Sequence, residues 1–285
     1  MHIEIVDLYQ HYGMPKDTQA AGTLTGWLTR TSGKVSACRK RPAVLILPGG
    51  AYRWTSPREA EPVALRFAAR GYAAFVLEYS CAPAGFPVSL REAAMAMRYI
   101  RENAERFEVD PNMVAAMGFS AGGHLCGTLG TMYDCPEVAD IGGAELLRPD
   151  ALGLCYPVAV SWGNTHAESF ENISKGDPAR KERLSLDRLV REDMPPVFLW
   201  HTRDDQSVPV RNSLILANAL EEKGVEFSMH IYRHGQHGLS TADEMAYPVW
   251  GLPEVSWDVP GWLEAEMAFF EEVGLTIRDM REENP

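Results

Sequence analysis

The sequence places one serine between two glycines at a point where the backbone has to turn. The stretch Gly118-Phe119-Ser120-Ala121-Gly122 follows the apolar run 113–117 and opens a helical pattern. A serine on a strand-to-helix turn presents its Oγ above the edge of a sheet, and glycines leave room where a side chain would collide. The positive end of the following helix stabilises negative charge that develops there. The pattern predicts that Ser120 is a nucleophile that attacks a carbonyl carbon.

A serine hydroxyl is a weak nucleophile until a base accepts its proton, and that base needs a carboxylate to orient it. For this architecture both groups are expected downstream, the carboxylate first, each just past a strand. Asp204 and Asp205 follow one predicted strand, and His234 and His237 follow the last one. The order predicts a Ser-His-Asp triad, but the residue types leave open which member of each pair belongs to it.

An acyl-transfer site also needs donors for the oxyanion, and the loop 48–52 (PGGAY) follows the first strong strand prediction. A flexible loop there can aim backbone N–H groups at the serine, although an ordinary glycine turn would read the same way. A zinc site at His234 and His237 is disfavoured because it would need a third ligand. His124, on the helix after the serine, is predicted to pack rather than to act as a base.

The cysteines favour neither a metal site nor a disulfide framework, because they are scattered and lack C-x-x-C spacing. They are Cys38, Cys81, Cys126, Cys135 and Cys155. We therefore expect no metal and no organic cofactor.

Short aliphatic runs alternate with longer helical patterns, and these elements must position the reactive residues. Strands are predicted at 43–50, 72–80, 112–120, 151–160, 195–203 and 225–235, and helices at 58–71, 89–107, 121–133, 209–224 and 261–274. Strands separated by helices indicate βαβ units, and therefore an α/β fold with a mostly parallel sheet covered on both faces. Residues 1–42 are expected to add an antiparallel edge.

The start of the helix 58–71 shows a capping-box pattern, Ser56-x-x-Glu59. Pro62 inside it indicates a kink or a delayed start, and Gly71 would close it. We expect Glu59 to serve this helix as a capping residue.

Length and charge limit the function classes. The chain has 285 residues and a formal net charge of −12, without the basic stripe of a nucleic-acid binder. No run is long enough to span a membrane, and residues 1–20 lack the apolar segment of a signal peptide, so a cytoplasmic protein is expected. We expect one domain over 1–285, with the polar stretch 161–193 as a small cap or lid insertion. Whether it forms a homo-oligomer is left open.

From about residue 40 onward the chain resembles the α/β-hydrolase superfamily, in particular small esterases grouped with acetyl-xylan and feruloyl esterases and hormone-sensitive-lipase-like enzymes. The resemblance lies in LPGGAY, YSCAPAGFPVSLREAAMAMRYIREN, GFSAGGHL, HTRDDQSVPVRNS and HGQHGLS. The family's D-x-x-V-P motif selects Asp205 over Asp204, and its His-Gly-Leu selects His237 over His234. Pro48 and Ala51 replace the usual His and third Gly of the oxyanion loop. The resemblance implies oxyanion donors at Gly50, Ala51 and Ala121.

The resemblance also implies two-step acyl transfer on a small-molecule ester. Four aromatic residues near the predicted site could stack on sugar rings, which favours an acetyl esterase acting on O-acetylated sugars such as xylo-oligosaccharides. They are Tyr52, Trp54, Trp162 and Trp257. A general short-chain carboxylesterase, a feruloyl esterase, an arylformamidase-type amide hydrolase and a non-catalytic ligand-binding protein of this fold remain alternatives. A peptidase of the prolyl-oligopeptidase type is disfavoured because the chain has no room for a propeller domain.

Overall fold

The computed structural model describes residues 1–16, 20–29, 39–248 and 251–279. Cys38 lies outside this part of the chain, and so does Trp250, an aromatic residue of the long loop predicted after His237. The strands are β1 (His2–Asp7), β2 (Thr23–Leu28), β3 (Arg39–Leu47), β4 (Ala73–Glu78), β5 (Val109–Phe119), β6 (Leu152–Cys155), β7 (Val197–Thr202), β8 (Phe227–Tyr232) and β9 (Arg278–Asp279). The helices are α1 (Leu8–Tyr12), α2 (Glu61–Ala69), α3 (Val88–Glu102), α4 (Ala104–Phe107), α5 (Ala121–Met132), α6 (Ala144–Leu147), α7 (Ala167–Ser174), α8 (Pro178–Arg183), α9 (Leu186–Leu189), α10 (Arg211–Glu222) and α11 (Trp262–Glu272).

The strands form one sheet in the order β1-β2-β4-β3-β5-β6-β7-β8, with β9 pairing with β3 outside this path. The strands from β4 through β3 to β8 pair in parallel, whereas β2 pairs with both β1 and β4 in antiparallel fashion. The predicted α/β class, the mostly parallel sheet and the antiparallel edge near the N-terminus are therefore confirmed.

Apolar side chains cover both faces of the sheet, and the parallel strands β4, β5, β6 and β7 bury most of their residues on both sides. On one face, Val63 and Phe67 of α2 pack in the same cluster as Trp262 and Phe270 of α11. On the other face, α3, α5 and α10 contribute residues to a second, larger cluster. None of the described helices is long and apolar enough to cross a membrane.

The capping-box prediction at Ser56 and Glu59 is wrong. Residues Pro57–Glu59 form a short 3-10 turn, α2 begins only at Glu61, and the Ser56 side chain caps no backbone N–H. Pro62 lies in the first turn of α2, so it marks a delayed start rather than a kink. The Glu59 carboxylate points away from α2 and accepts a hydrogen bond from the Gly49 N–H at 2.7 Å.

Candidate active site

The predicted nucleophile lies on a tight turn between β5 and α5. Ser120 has a φ of 54°, a region that side chains rarely adopt, and its N–H donates to the Cys155 carbonyl at 3.0 Å. A Cβ added to Gly118 would lie 2.1 Å from the Gly122 carbonyl oxygen, and one added to Gly122 would lie 2.0 Å from the Leu47 carbonyl oxygen. Both positions accept only glycine, because these neighbours are backbone atoms that cannot move aside. The two glycines hold the serine at the carboxyl edge of the sheet.

The ends of β7 and β8 bring Asp205 and His237 to this serine. His237 Nε2 lies 2.8 Å from Ser120 Oγ, and His237 Nδ1 lies 2.6 Å from Asp205 Oδ2. Parallel strands present their carboxyl ends on one edge of a sheet, so loops that are distant in sequence meet there. The imidazole is thus in hydrogen-bond contact with a hydroxyl on one nitrogen and a carboxylate on the other, the arrangement that general-base activation of a serine requires.

Asp205 is held as a buried carboxylate by several donors. Its Oδ1 accepts from the N–H groups of Ser207 at 2.8 Å and Val208 at 2.9 Å, and its Oδ2 also lies 3.4 Å from His201 Nε2. Burial by itself raises the pKa of Asp205, but the hydrogen bonds from His201 and His237 outweigh it and hold the pKa well below its ordinary value. The group is therefore ionised wherever the imidazole needs an acceptor.

A second Asp–His pair lies next to the first. His234 Nδ1 is 2.9 Å from Asp204 Oδ2, and the Gly235 N–H donates to Asp204 Oδ1 at 2.9 Å. Both side chains are exposed to solvent, and the hydrogen bond from His234 lowers the pKa of Asp204. Of the two pairs, the structure joins Asp205 and His237 to the serine and leaves Asp204 and His234 bonded to each other.

Backbone N–H groups remain free in the loop after β3, which we call the oxyanion loop (48–54). The Gly49 carbonyl accepts from Ser56 N–H, and the Gly50 carbonyl accepts from the N–H groups of Arg53 and Trp54. In a trans peptide the N–H points opposite to the carbonyl of the same peptide unit. The N–H groups of Gly50 and Ala51 therefore point away from the hydrogen bonds that the Gly49 and Gly50 carbonyls accept. Neither donates to an acceptor in the described part of the chain. Ala121, as the first residue of α5, has an N–H without a helical partner.

The oxyanion loop is attached to the 161–193 segment, which forms α7, α8 and α9. Asn172 Nδ2 of α7 donates to the Ala51 carbonyl at 2.8 Å, and Arg53 Nη1 lies 3.1 Å from Glu168 Oε1. The carbonyl held by Asn172 belongs to a residue with a φ of 58°, in the left-handed region. The α7 contacts therefore fix a strained part of the loop from the solvent side.

The four aromatic residues considered for sugar stacking occupy different environments. Trp54 is 47% exposed and Trp162 is 44% exposed, and Trp162 Nε1 donates to Asp187 at 3.0 Å. Trp257 is 92% exposed. Tyr52 is only 2% exposed, and its hydroxyl lies 2.7 Å from Nδ1 of the buried His124. Because both ring faces of Tyr52 are packed, we correct its expected role from stacking surface to support of the oxyanion loop.

Glu59 is a residue of this site that sequence reasoning assigned elsewhere. Its carboxylate lies beneath the oxyanion loop, accepting from the Gly49 N–H and, at 2.8 Å, from the Tyr156 hydroxyl. The aromatic ring of Tyr156 in turn contacts the His237 ring edge-on, with centroids 5.1 Å apart. The only signal in the sequence was an acidic residue close behind the predicted oxyanion loop, and the local pattern Ser-x-x-Glu offered a simpler explanation.

Comparison with known proteins places this arrangement among related sequences and structures. A family model described as BD-FAE matches residues 34–142, which include the oxyanion loop and Ser120, and the model of the prolyl oligopeptidase family matches residues 91–250, which include Ser120, Asp205 and His237. Endo-1,4-beta-xylanase B of Butyrivibrio fibrisolvens is 38% identical over 228 residues, which make up 76% of this chain and 35% of that protein. Acetylxylan esterase of Xylanibacter ruminicola is 28% identical over 231 residues, 78% of this chain and 45% of that protein. The match thus spans less than half the length of either relative.

Solved structures match over nearly their whole length. The acetyl ester-xyloside bifunctional hydrolase from Caldicellulosiruptor lactoaceticus is 34% identical with a TM-score of 0.75, and the alignment covers 89% of this chain and 88% of that one. The carboxylesterase Cest-2923 from Lactobacillus plantarum is 25% identical with a TM-score of 0.81, covering 96% of this chain and 98% of that one.

Proposed function

We propose, since this chain belongs to the α/β-hydrolase superfamily, that it is a carboxylic ester hydrolase and removes acetyl groups from O-acetylated carbohydrates such as short xylo-oligosaccharides. The observation that carries the esterase mechanism is the continuous contact from Asp205 through His237 to Ser120, with heavy-atom distances of 2.6 and 2.8 Å. The names of the xylan-related relatives support the carbohydrate part of the proposal.

In the proposed reaction Ser120 is the nucleophile, His237 the general base and Asp205 the group that orients the imidazole. His237 takes the proton from Oγ as the oxygen attacks the ester carbonyl carbon. The tetrahedral intermediate collapses, and the sugar hydroxyl leaves with the proton from His237. Water then enters, gives its proton to His237 and releases acetate from the acyl-enzyme.

The negative oxygen of both tetrahedral intermediates accepts hydrogen bonds from the N–H groups of Gly50, Ala51 and Ala121. These donors need no rearrangement, because the neighbouring carbonyls are already bonded within the loop. Preorganised donors of this kind commonly contribute about 10²–10³ to the rate each.

The surroundings of Ser120 favour a short acyl group on a polar alcohol. Apart from Trp162, the 161–193 segment buries most of its large apolar side chains and exposes mostly polar and charged ones, whereas a long-chain lipase needs a wide aliphatic surface at its entrance. Trp54 on the oxyanion loop and Trp162 on this segment are exposed aromatic side chains with faces suited to sugar rings. In this proposal the segment acts as a small cap and Trp257 is a more distant contact.

The substrate is tested with p-nitrophenyl esters of two to eight acyl carbons, followed by acetylated xylobiose and glucose penta-acetate. We expect acetate to be the best acyl group and the acetyl sugars to be deacetylated, which chromatography of released acetate measures. Faster hydrolysis of octanoate, or inert acetyl sugars beside a reactive aryl acetate, would leave only a general carboxylesterase. Turnover of a cinnamic ester or of an anilide in preference to acetate would favour the feruloyl esterase or the amide hydrolase.

The residues are tested by matched substitutions. Ser120→Ala and His237→Ala should abolish turnover while circular dichroism shows an intact fold. His234→Ala changes the same residue type three positions away and should retain activity. Appreciable turnover by folded Ser120→Ala protein contradicts the mechanism.

A further inference from the structure

Glu59 is a buried carboxylate located between the oxyanion loop and the nucleophile. The residue is only 3% exposed, although glutamate side chains usually lie in solvent. A Cβ placed on Gly49 would lie 2.7 Å from Glu59 Oε2 and 3.0 Å from Ser120 Cβ. The carboxylate and the serine therefore flank the same backbone position at the start of the oxyanion loop.

Hydrogen bonds connect this carboxylate to the loop that carries His237. Glu59 Oε1 accepts from the Tyr156 hydroxyl at 2.8 Å, and the Tyr156 oxygen accepts from the Ser240 N–H at 2.9 Å. The Ser240 hydroxyl donates to the carbonyl of Arg58, the residue before Glu59, at 2.5 Å. The turn that holds Glu59 is thus bonded on one side to Gly49 and on the other to the segment three residues beyond His237.

Each oxygen of the Glu59 carboxyl group accepts one hydrogen bond. The Tyr156 oxygen already accepts from Ser240, so its own hydrogen is directed to Glu59, and Gly49 supplies a second N–H to the other oxygen. One donor on each oxygen stabilises the ionised form of the carboxyl group. Burial raises the pKa of Glu59 above its ordinary value, and the hydrogen bonds from Tyr156 and Gly49 and the neighbouring His237 and Arg58 offset this rise only in part.

We propose, on the basis of the Ser120–His237 mechanism above, that Glu59 is a positioning residue for acyl transfer. It holds the first peptide of the oxyanion loop beneath the serine and, through Tyr156, holds the loop and ring of His237. Because its charge lies near His237, it also stabilises the imidazolium that forms when the serine loses its proton. Glu59 touches neither the substrate nor the reacting atoms.

The test is Glu59→Gln, assayed by the rate at which a fluorophosphonate probe labels the serine. In this step a bond forms between Ser120 Oγ and phosphorus, the P–F bond breaks, fluoride leaves and His237 takes the serine proton. Mass spectrometry of the intact protein measures how much of it is labelled. Glutamine keeps the size of the side chain, but one end of its amide is a donor, so it cannot accept from both Gly49 and Tyr156. We expect labelling and kcat to fall about 10- to 100-fold, since misplacement of about 1 Å commonly costs up to about 10²-fold. KM should change little.

The pH profile distinguishes a charged residue that positions His237 from a residue whose replacement only disturbs packing. His237 is faced by Asp205, Tyr156, Glu59 and, from the 161–193 segment, His166. Glu59→Gln removes one negative charge from this set, so the acidic limb of the labelling rate should move to lower pH. A packing defect would lower the rate without moving the limb.

Glu92→Gln is the matched control. Glu92 is also buried and also accepts from a backbone N–H, that of Ser80, and from a tyrosine hydroxyl, that of Tyr9. It should leave the labelling rate unchanged. Tyr156→Phe provides a second variant, which keeps the ring against His237 but removes the hydroxyl, and we expect a smaller loss in the same direction.

Each outcome of these experiments bears on a different part of the proposal. Labelling of Glu59→Gln within about threefold of the parent protein, an unmoved acidic limb, or an equal loss in Glu92→Gln would each overturn the role of Glu59. If Glu59→Gln does not fold, unchanged labelling of Tyr156→Phe overturns it. Fast labelling of the parent protein without deacetylation of sugars rejects only the proposed substrate, whereas a parent protein that is not labelled at Ser120 refutes both the mechanism and the proposal that depends on it.

Discussion

Asp205→Asn is expected to reduce kcat by about 10⁴ while leaving the fold and KM nearly unchanged. The structure fixes how asparagine must sit. The N–H groups of Ser207 and Val208 both donate to Oδ1, so the amide oxygen takes that side and the amide NH₂ faces His237 Nδ1. Two donors then meet unless Nδ1 gives up its hydrogen. The imidazole must carry its proton on Nε2, the nitrogen 2.8 Å from Ser120 Oγ, where it can no longer accept the serine proton. A loss of about 10⁴ corresponds to about 5 kcal/mol of transition-state stabilisation.

The neighbouring residue supplies the control for this substitution. Asp204 also accepts from an imidazole and from a backbone N–H, but its partner His234 is not in contact with the serine. Steady-state hydrolysis of p-nitrophenyl acetate measures both variants, and thermal unfolding checks their folds. We expect Asp204→Asn to stay within about threefold of the parent protein. The reasoning is refuted if Asp205→Asn keeps kcat within about tenfold, or if Asp204→Asn loses more.

Three further predictions test other parts of the structure. Glu266 is fully buried, and its carboxylate has no hydrogen-bond partner in the described part of the chain. Burial raises the pKa of this carboxyl group well above its ordinary value. Glu266→Met should therefore raise Tm by about 2–4 °C or more at pH 8. This gain in Tm should shrink toward pH 4.5. The folded parent protein favours the protonated form of Glu266, so the stability of the parent falls as pH rises above the unfolded-state pKa of about 4.3. A gain in Tm that does not depend on pH contradicts this reasoning. Gly122→Ala would place a Cβ 2.0 Å from the Leu47 carbonyl oxygen, and we expect urea titration to show a free energy of unfolding lower by at least about 3 kcal/mol. The control is Gly261→Ala, whose new Cβ meets no atom within 4 Å and should change the free energy of unfolding by less than about 1 kcal/mol. Asn172→Ala removes the hydrogen bond to the oxyanion loop and should lower kcat about tenfold with little change in Tm, and an unchanged kcat would show that the loop holds its shape without α7.

The alternation of strands and helices was sufficient to predict the sheet and the edge at which the site lies. Ser120 could be found from its glycines, because a sharp turn between a strand and a helix leaves few choices of residue. The pairing of Asp205 with His237 needed the family motif, since Asp204 and His234 have the same chemistry and form an equivalent pair 2.9 Å apart. The catalytic roles of these residues remain predictions.

What local patterns could not predict were contacts made across the fold. Glu59 matches a capping box in its own segment, but the partners that it binds, Gly49 and Tyr156, lie 10 and 97 residues away. The same applies to Tyr52, whose position at the end of the predicted oxyanion loop suggested a ring face near the serine; its hydroxyl instead lies 2.7 Å from Nδ1 of His124, 72 residues away. The helix predicted at 89–107 is divided into α3 and α4 at Asn103, whose side-chain amide donates to the Tyr99 carbonyl at 2.9 Å.

The distance along the chain between Ser120 and His237, 117 residues, has a consequence for synthesis of the protein. As the chain emerges from the ribosome, the serine turn and the oxyanion loop are made first, and the base is made only after β8. Until β8 docks at its edge of the sheet, the hydroxyl has no proton acceptor and remains an ordinary alcohol. In the proposed mechanism Ser120 therefore becomes reactive only after β8 and the loop that carries His237 have taken their places in the sheet.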